Sequence, residues 1–346
     1  MLKKLFLSAL LLIAASIAPA IAATSPTVTI GVITLVSTTP IYIAQEKGYF
    51  HDAGIDVQVE PIESTGSAMP LLAQNRLQLL FGGFSAAYWN ALGSNLPLII
   101  AFDGASSPTL SELLVRTDLA KTIKGPADLK GHSIGANAPG AIPVYQIAKM
   151  LETAGLSLKD VDVKYIPLPQ MSIALGNQAL DTAEMSPPLN SVAIQQKVAV
   201  HLLNFDDVIR PQPVALAGFV ANTDWIKQDR QQAQKFFLAL ARAGRDFCQA
   251  FHHGPNRDEV EDIMVKYKTV RDRELAESIP WTSRDPNGHV SIASIEDIQD
   301  VFFKEGLVKQ KFPTNRLVDT SFADEVTKQL GPFVAINKDD KQDGCR

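Results

Sequence analysis

Val28-Thr29-Ile30-Gly31-Val32, a helical stretch over residues 39–47, and then Asp56-Val57-Gln58-Val59-Glu60 form the opening that decides the fold. The first run is rich in β-branched residues, which fit a pleated strand. Residues 39–47 carry Pro40 near the first turn, where a missing N–H is tolerated. Residues 56–60 alternate, with Val57 and Val59 on one face, as a strand does. Outward from there the alternation continues: a helix over 67–74, a strand over 77–81, a helix over 85–92 with Ser85 as N-cap, and a strand over 96–102. Strands and helices at this spacing predict a doubly wound α/β lobe with a mainly parallel sheet.

A second set follows residues 112–116, with strands over 132–136, 163–168, 179–185 and 199–203 and helices over 142–154, 171–176 and 189–196. Residues 213–220 are apolar and read as extended. Beyond Asp224 the pattern turns helical, over 230–251, 258–267, 272–277, 294–305 and 319–330. The expected architecture is α/β, with two doubly wound lobes joined by a two-crossing hinge and a helical C-terminal part packed on lobe one. In residue ranges, 27–115 is the first part of lobe one, 116–213 is lobe two, 214–336 returns to lobe one, and 337–346 is a charged tail. The crossings are expected near 114–118 and 210–216.

The N-terminus begins Met1-Leu2-Lys3-Lys4, continues as an apolar run over 5–17, and ends in Pro19-Ala20-Ile21-Ala22-Ala23. A basic start, a short apolar stretch and small residues at both recognition positions read as a signal peptide, 1–22, cleaved after Ala22. The run is shorter than the ~20 apolar residues a membrane span needs. Export to the periplasm and a soluble mature chain are the expectation. About 320 residues then remain, enough for two lobes. An apolar content of 46% supports a substantial core, and a net charge of −5 argues against a nucleic-acid partner. Cys248 and Cys345 form no metal or redox motif. Export permits a disulfide between them, and a free thiol on a terminal tail stands equally open.

Ile41-Tyr42-Ile43-Ala44-Gln45-Glu46-Lys47-Gly48-Tyr49-Phe50, with Ala53-Gly54-Ile55-Asp56-Val57 after it, resembles the opening signature of a known family. Ala127-Asp128-Leu129-Lys130-Gly131, Leu151-Glu152-Thr153-Ala154-Gly155-Leu156 and Ala179-Leu180-Asp181-Thr182-Ala183 match it further, in order. That family comprises the periplasmic substrate-binding proteins of ABC importers for sulfonates, taurine and nitrate, with the thiamin-pyrimidine-related proteins. The resemblance implies the type II periplasmic binding fold, a small-molecule ligand, an ABC permease in the inner membrane as partner, and a monomer without cofactor or metal. It covers residues 27–220 best. The chain departs from the family where many members carry an acidic residue before a proline: Ser186-Pro187-Pro188 stands there, with Glu184 just upstream.

In open α/β sheets, ligands bind beyond the carboxyl ends of the strands. Five short loops of small and polar residues fall there. Ser37-Thr38-Thr39, Ser64-Thr65-Gly66-Ser67 and Gly82-Gly83-Phe84-Ser85 come from lobe one. Asn137-Ala138-Pro139-Gly140-Ala141 and Met185-Ser186-Pro187-Pro188 come from lobe two. Hydroxyls and free N–H groups at helix starts suit a polar or anionic head; singly, each Ser or Thr is equally a helix cap. The candidate ligand contacts are Ser37, Thr38, Thr39, Tyr42, Ser64, Thr65, Gly66, Gly83, Phe84, Ser85, Asn137, Gly140, Ala141, Glu184, Ser186 and Arg210. Tyr42 and Phe84 are the aromatic walls, and Arg210 or Arg116 the guanidinium that an anion would recruit. A small organic ligand with a carboxylate or sulfonate head on an apolar body is expected.

Two rivals stand beside an importer receptor. One is a periplasmic ligand sensor; the other is a thiamin-pyrimidine-related enzyme on the same fold, whose cysteine-rich motif is missing here. The sequence has no Gly-x-Ser-x-Gly elbow, His-Glu-x-x-His helix or Walker lysine loop. No catalytic residue is assigned, and the six histidines read as surface or capping residues.

Overall fold

The computed structural model describes residues 27–337 and 343–345. The leader at 1–22 and most of the tail at 337–346 lie outside them. Among the described residues ten strands form two five-stranded sheets. The first contains β1 (Thr27–Val32), β2 (Asp56–Pro61), β3 (Leu79–Gly83), β4 (Leu98–Ser106) and, from far along the chain, β10 (Ala215–Asn222). The second contains β5 (Glu112–Arg116), β6 (Ser133–Ala136), β7 (Asp162–Tyr165), β8 (Thr182–Met185) and β9 (Ala199–Asn204). Their orders are β2-β1-β3-β10-β4 and β7-β6-β8-β5-β9. In each sheet the fourth strand alone runs antiparallel to its neighbours.

Burial explains the strand sequences. All residues of β4 and β10 are buried, and both read as near-continuous small and apolar runs. The edge strand β2 alternates instead and buries Val57. Gly218 in β10 has no room for a side chain, since a Cβ would lie 2.6 Å from the Phe102 carbonyl oxygen and 2.7 Å from the Phe84 ring. That close approach brings β10 against β4.

The chain leaves sheet one after β4 and enters sheet two as β5, so the first crossing is 107–111 and not 114–118. Residues 112–116, expected to close lobe one, are a buried inner strand of sheet two, because β5 needs partners on both edges and finds them in β8 and β9. The return crossing covers 205–214 and overlaps its expected position. Asp206 ties the two together. Its carboxylate accepts from the Thr109 and Leu110 backbone N–H groups at 2.7 and 3.0 Å and from the Ser107 hydroxyl at 3.1 Å. Ser107 in turn accepts from the Val214 N–H at 2.8 Å.

The helix Arg230–Phe251 begins at an Asp229 cap that accepts from the Gln232 N–H at 2.9 Å. Its apolar face packs on lobe one, with Phe236 stacked on Phe50 and Phe237 on Phe102. The helix Ile292–Lys304 also reaches the other lobe. Its Asp297 accepts from Tyr145 Oη at 2.7 Å and Lys149 Nζ at 3.0 Å, both on the helix Ile142–Glu152 that follows β6. Cys248 of the long helix is disulfide-bonded to Cys345, which is buried and donates its N–H to Ser283 Oγ at 2.7 Å. The cysteine pair left open by the sequence is therefore joined. The bond spans 97 residues, so breaking it by Cys345→Ser should lower stability by about 2–4 kcal/mol. Urea unfolding under non-reducing conditions measures this, and an unchanged midpoint would place the bond outside the folding equilibrium.

Candidate ligand cleft

Between the sheets lies a narrow cleft with about 70 Å³ of space open to water. It is built where the alternation placed loops, beyond the carboxyl ends of β1, β3, β6 and β8. Lobe one supplies Ile33, Leu35, Ser37, Thr65 and the turn Phe81-Gly82-Gly83. Lobe two supplies Asn137, Ala141-Ile142-Pro143, Leu168 and the segment from Glu184 to Leu189. Leu216 and Ala217 on β10 and Thr282 complete the wall.

Seven of the sequence-derived candidates are brought together here: Ser37, Thr65, Gly83, Asn137, Ala141, Glu184 and Ser186. The others have different work. Thr38 and Thr39 are fully buried, and their hydroxyls donate to the Leu35 and Val36 carbonyls at 2.6 and 2.7 Å. Ser64 caps its helix through the Ser67 N–H at 3.1 Å, and Gly66 packs beside Ala87. Gly140 and Ser85 form the junction of the lobes: the Ala86 N–H donates to the Gly140 carbonyl at 2.8 Å, and Ser85 Oγ is buried there without a partner. Gly140 holds a φ of +61°, which only glycine adopts without strain.

Both aromatic walls are corrected. Tyr42 stacks on Tyr267 at 4.2 Å, and Phe84 is core beneath Gly218; Phe81 is the ring that lines the cleft. Arg210 is corrected too: it is exposed on the return crossing and donates to the Asp206 and Ile209 carbonyls at 3.1 and 2.6 Å. Arg116 is engaged by Asp118 and Asp181. One guanidinium behind the cleft is Arg284, missed in the sequence because it lies in an irregular stretch; Arg271 lines the adjoining space between the lobes. Arg284 is buried, stands over the Phe247 ring and donates Nη2 to the Ser37 carbonyl at 2.7 Å, bracing that loop from behind. Burial holds its pKa down at about 10, with Asp103 pulling the other way.

Among the described residues Glu184 is the ionisable side chain lining this inner pocket, and Glu63, Lys268 and Arg271 line the adjoining space between the lobes. Glu184 is 2% exposed, and no ion pair reaches it among the described residues. The Ser186 hydroxyl, itself 2.8 Å from Ser111 Oγ, is 3.4 Å away. Burial pushes the carboxyl up to about 8 against the smaller pull of those two hydroxyls. Asp103, buried behind the cleft, is pushed up to about 7 by the same cause. Asn137 Oδ1 is also buried without a partner. Among the described residues no group of His, Cys, Asp and Glu could hold a metal ion.

Two α/β lobes, crossed twice by the chain and facing one cleft at their strand ends, define the bilobed type II periplasmic binding fold. The chain belongs to the NMT1/THI5-like family, whose profile matches residues 36–250. The nitrate/nitrite binding protein NrtA of Nostoc is 25% identical over 270 residues, covering 72% of this chain and 59% of that protein. The alkanesulfonate-binding protein SsuA from Xanthomonas axonopodis pv. citri, solved bound to MOPS, matches with a TM-score of 0.69 at 16% identity, over 87% of this chain and 99% of that one. The desulfurization enzyme DSZB reaches a TM-score of 0.62 at 14% identity, over 88% of this chain and 99% of that one. At such identities the structural matches carry the fold, and the ligand has to be argued from the site.

Glu184 makes a pH prediction. Its folded pKa lies above the ordinary 4.5, so between the two values the unfolded chain releases a proton that the folded chain keeps. Stability of the empty protein should therefore fall as pH rises through that window, by at most about 1.4 kcal/mol per pH unit from this group. Glu184→Gln should flatten the slope, measured by urea unfolding from about pH 5 to about pH 8. Equal slopes would mean that Glu184 is already ionised at the lower pH.

Proposed function

We propose that this protein is a periplasmic solute-binding receptor: it captures a small organic molecule between its lobes and presents the closed form to an ABC-type inner-membrane importer. The observation that carries the reading is a cleft walled from both lobes, in which buried polar atoms of lobe two, Asn137 Oδ1 and the Glu184 carboxyl, have their binding capacity left over. Buried polar groups are ordinarily satisfied, so a partner from outside is implied. The family relatives that bind ions and sulfonates for import support the same role. Binding is favoured over catalysis by the relatives, among them a nitrate/nitrite binding protein and an alkanesulfonate-binding protein.

Capture then follows from hinge geometry. The two crossings at 107–111 and 205–214 are short and tied by Asp206, so the lobes turn as units. Ligand that contacts both walls stabilises the closed arrangement, because only there are both sets of contacts made.

Two measurements test this. Native mass spectrometry of protein purified from the periplasm should show a bound small molecule, and adding that molecule to stripped protein should shrink its radius of gyration in X-ray scattering. Scattering unchanged by any bound ligand would remove the receptor reading. Gly83→Ala should weaken capture several-fold and lower the melting temperature of the empty protein, since a Cβ there would sit 2.7 Å from Ile142 Cγ2 across the cleft; an unchanged affinity would remove this turn from the site.

A further inference from the structure

The bonding state of each polar group in the cleft bears on what charge the ligand carries. Several donors are spent inside the protein, while Ser85 Oγ and Arg284 Nε are buried without a partner. Thr65 Oγ1 donates to the Gly83 carbonyl at 2.8 Å, and the Ser111 and Ser186 hydroxyls bond each other. The Ala86 N–H, at the helix start expected to receive an anion, donates to Gly140 of the other lobe. Among the described residues no Lys or Arg lines this inner pocket; Lys268 and Arg271 line the adjoining space between the lobes, and Arg284 is directed at the Ser37 carbonyl. Acceptors, by contrast, are left over. Asn137 Oδ1 is buried and unpartnered, and the Glu184 carboxyl has only the hydroxyls of Ser186, at 3.4 Å, and Ser111.

An anion entering here would meet no Lys or Arg side chain in the pocket lining, and would lie beside a carboxyl. Burying an unpaired charge costs several kcal/mol even after relaxation. A cation reverses each term: it forms an ion pair with Glu184, its N–H groups satisfy Asn137, and no net charge is buried. Around these acceptors the wall is apolar, through Leu35, Phe81, Ile142 and Leu216.

We propose that the cleft is selective for a small organic cation, an apolar body carrying a protonated amine or amidine, whose N–H groups are held by Glu184 and Asn137. This rests on the receptor reading and names the ligand class for it.

The test is calorimetry on the full exported chain, stripped of bound ligand, with matched probes: hexylamine and benzylamine against hexanoate, benzoate, hexanesulfonate and benzenesulfonate. The amines should bind and the four anions should not at the same concentrations. Glu184→Gln, which keeps the side-chain volume, should weaken amine binding at least tenfold, and Asn137→Ala several-fold. An anion that binds more tightly than its matched amine, amine affinity unchanged in both variants, or no amine binding to the wild type would each overturn the assignment. The wild-type comparison stands even if a variant fails to fold. Anion binding with compaction of the molecule would remove the cation and keep the receptor; no compaction with any bound molecule would remove both.

Discussion

The chain passes between its two sheets twice, and the way it re-enters each one governs the rest of the molecule. It leaves each sheet from the fifth strand and joins the other as the fourth, antiparallel to both neighbours. An inserted inner strand cannot slip or detach without breaking hydrogen bonds on two edges, so the crossings are anchored at both ends. Asp206 then binds one crossing to the other through the Thr109 and Leu110 amides. With the connections short and fixed, the carboxyl ends of the parallel strands in the two lobes face each other. The cleft is the consequence of that pairing rather than a feature of any loop.

The chemistry of the cleft is less constrained by the fold. The Nostoc nitrate/nitrite binding protein, an alkanesulfonate-binding protein and a desulfurization enzyme all resemble this chain, and a shared scaffold leaves the site free to vary. Here the departure is local. A buried glutamate lies in the cleft without a cation, and the one buried arginine nearby is turned to a carbonyl behind the wall. At the lobe junction the Ala86 N–H is taken by the Gly140 carbonyl, while Ser85 Oγ stays without a partner. What is left for a ligand includes the Glu184 carboxyl and Asn137 Oδ1, set beside apolar side chains.

The helical C-terminal part adds to this in a way its sequence did not announce. The helix Arg230–Phe251 packs on lobe one as its apolar stripe requires. The helix Ile292–Lys304 carries Asp297 on its other side, where it meets Tyr145 and Lys149 of lobe two. A polar contact of this kind between lobes has no periodicity to betray it. Arg284 escaped notice for a related reason, since it sits in irregular chain between helices and acts through a single backbone carbonyl.

Hydrophobic periodicity and turn residues by themselves determined the alternation of elements, the two-lobed class and the five loops at strand ends, because these depend on contacts between residues near in sequence. Ser37, Thr65, Gly83, Asn137, Ala141, Glu184 and Ser186 were legible for that reason: each lies at or just past a strand end. Only the tertiary structure decided that Tyr42 and Phe84 are covered by neighbours, that Arg210 faces outward, and that residues 112–116 belong to the second sheet. It also decided which hydroxyls and amides were already spent. Those outcomes turn on which distant groups meet, and a hydrogen bond between residues tens of positions apart leaves no trace in local pattern.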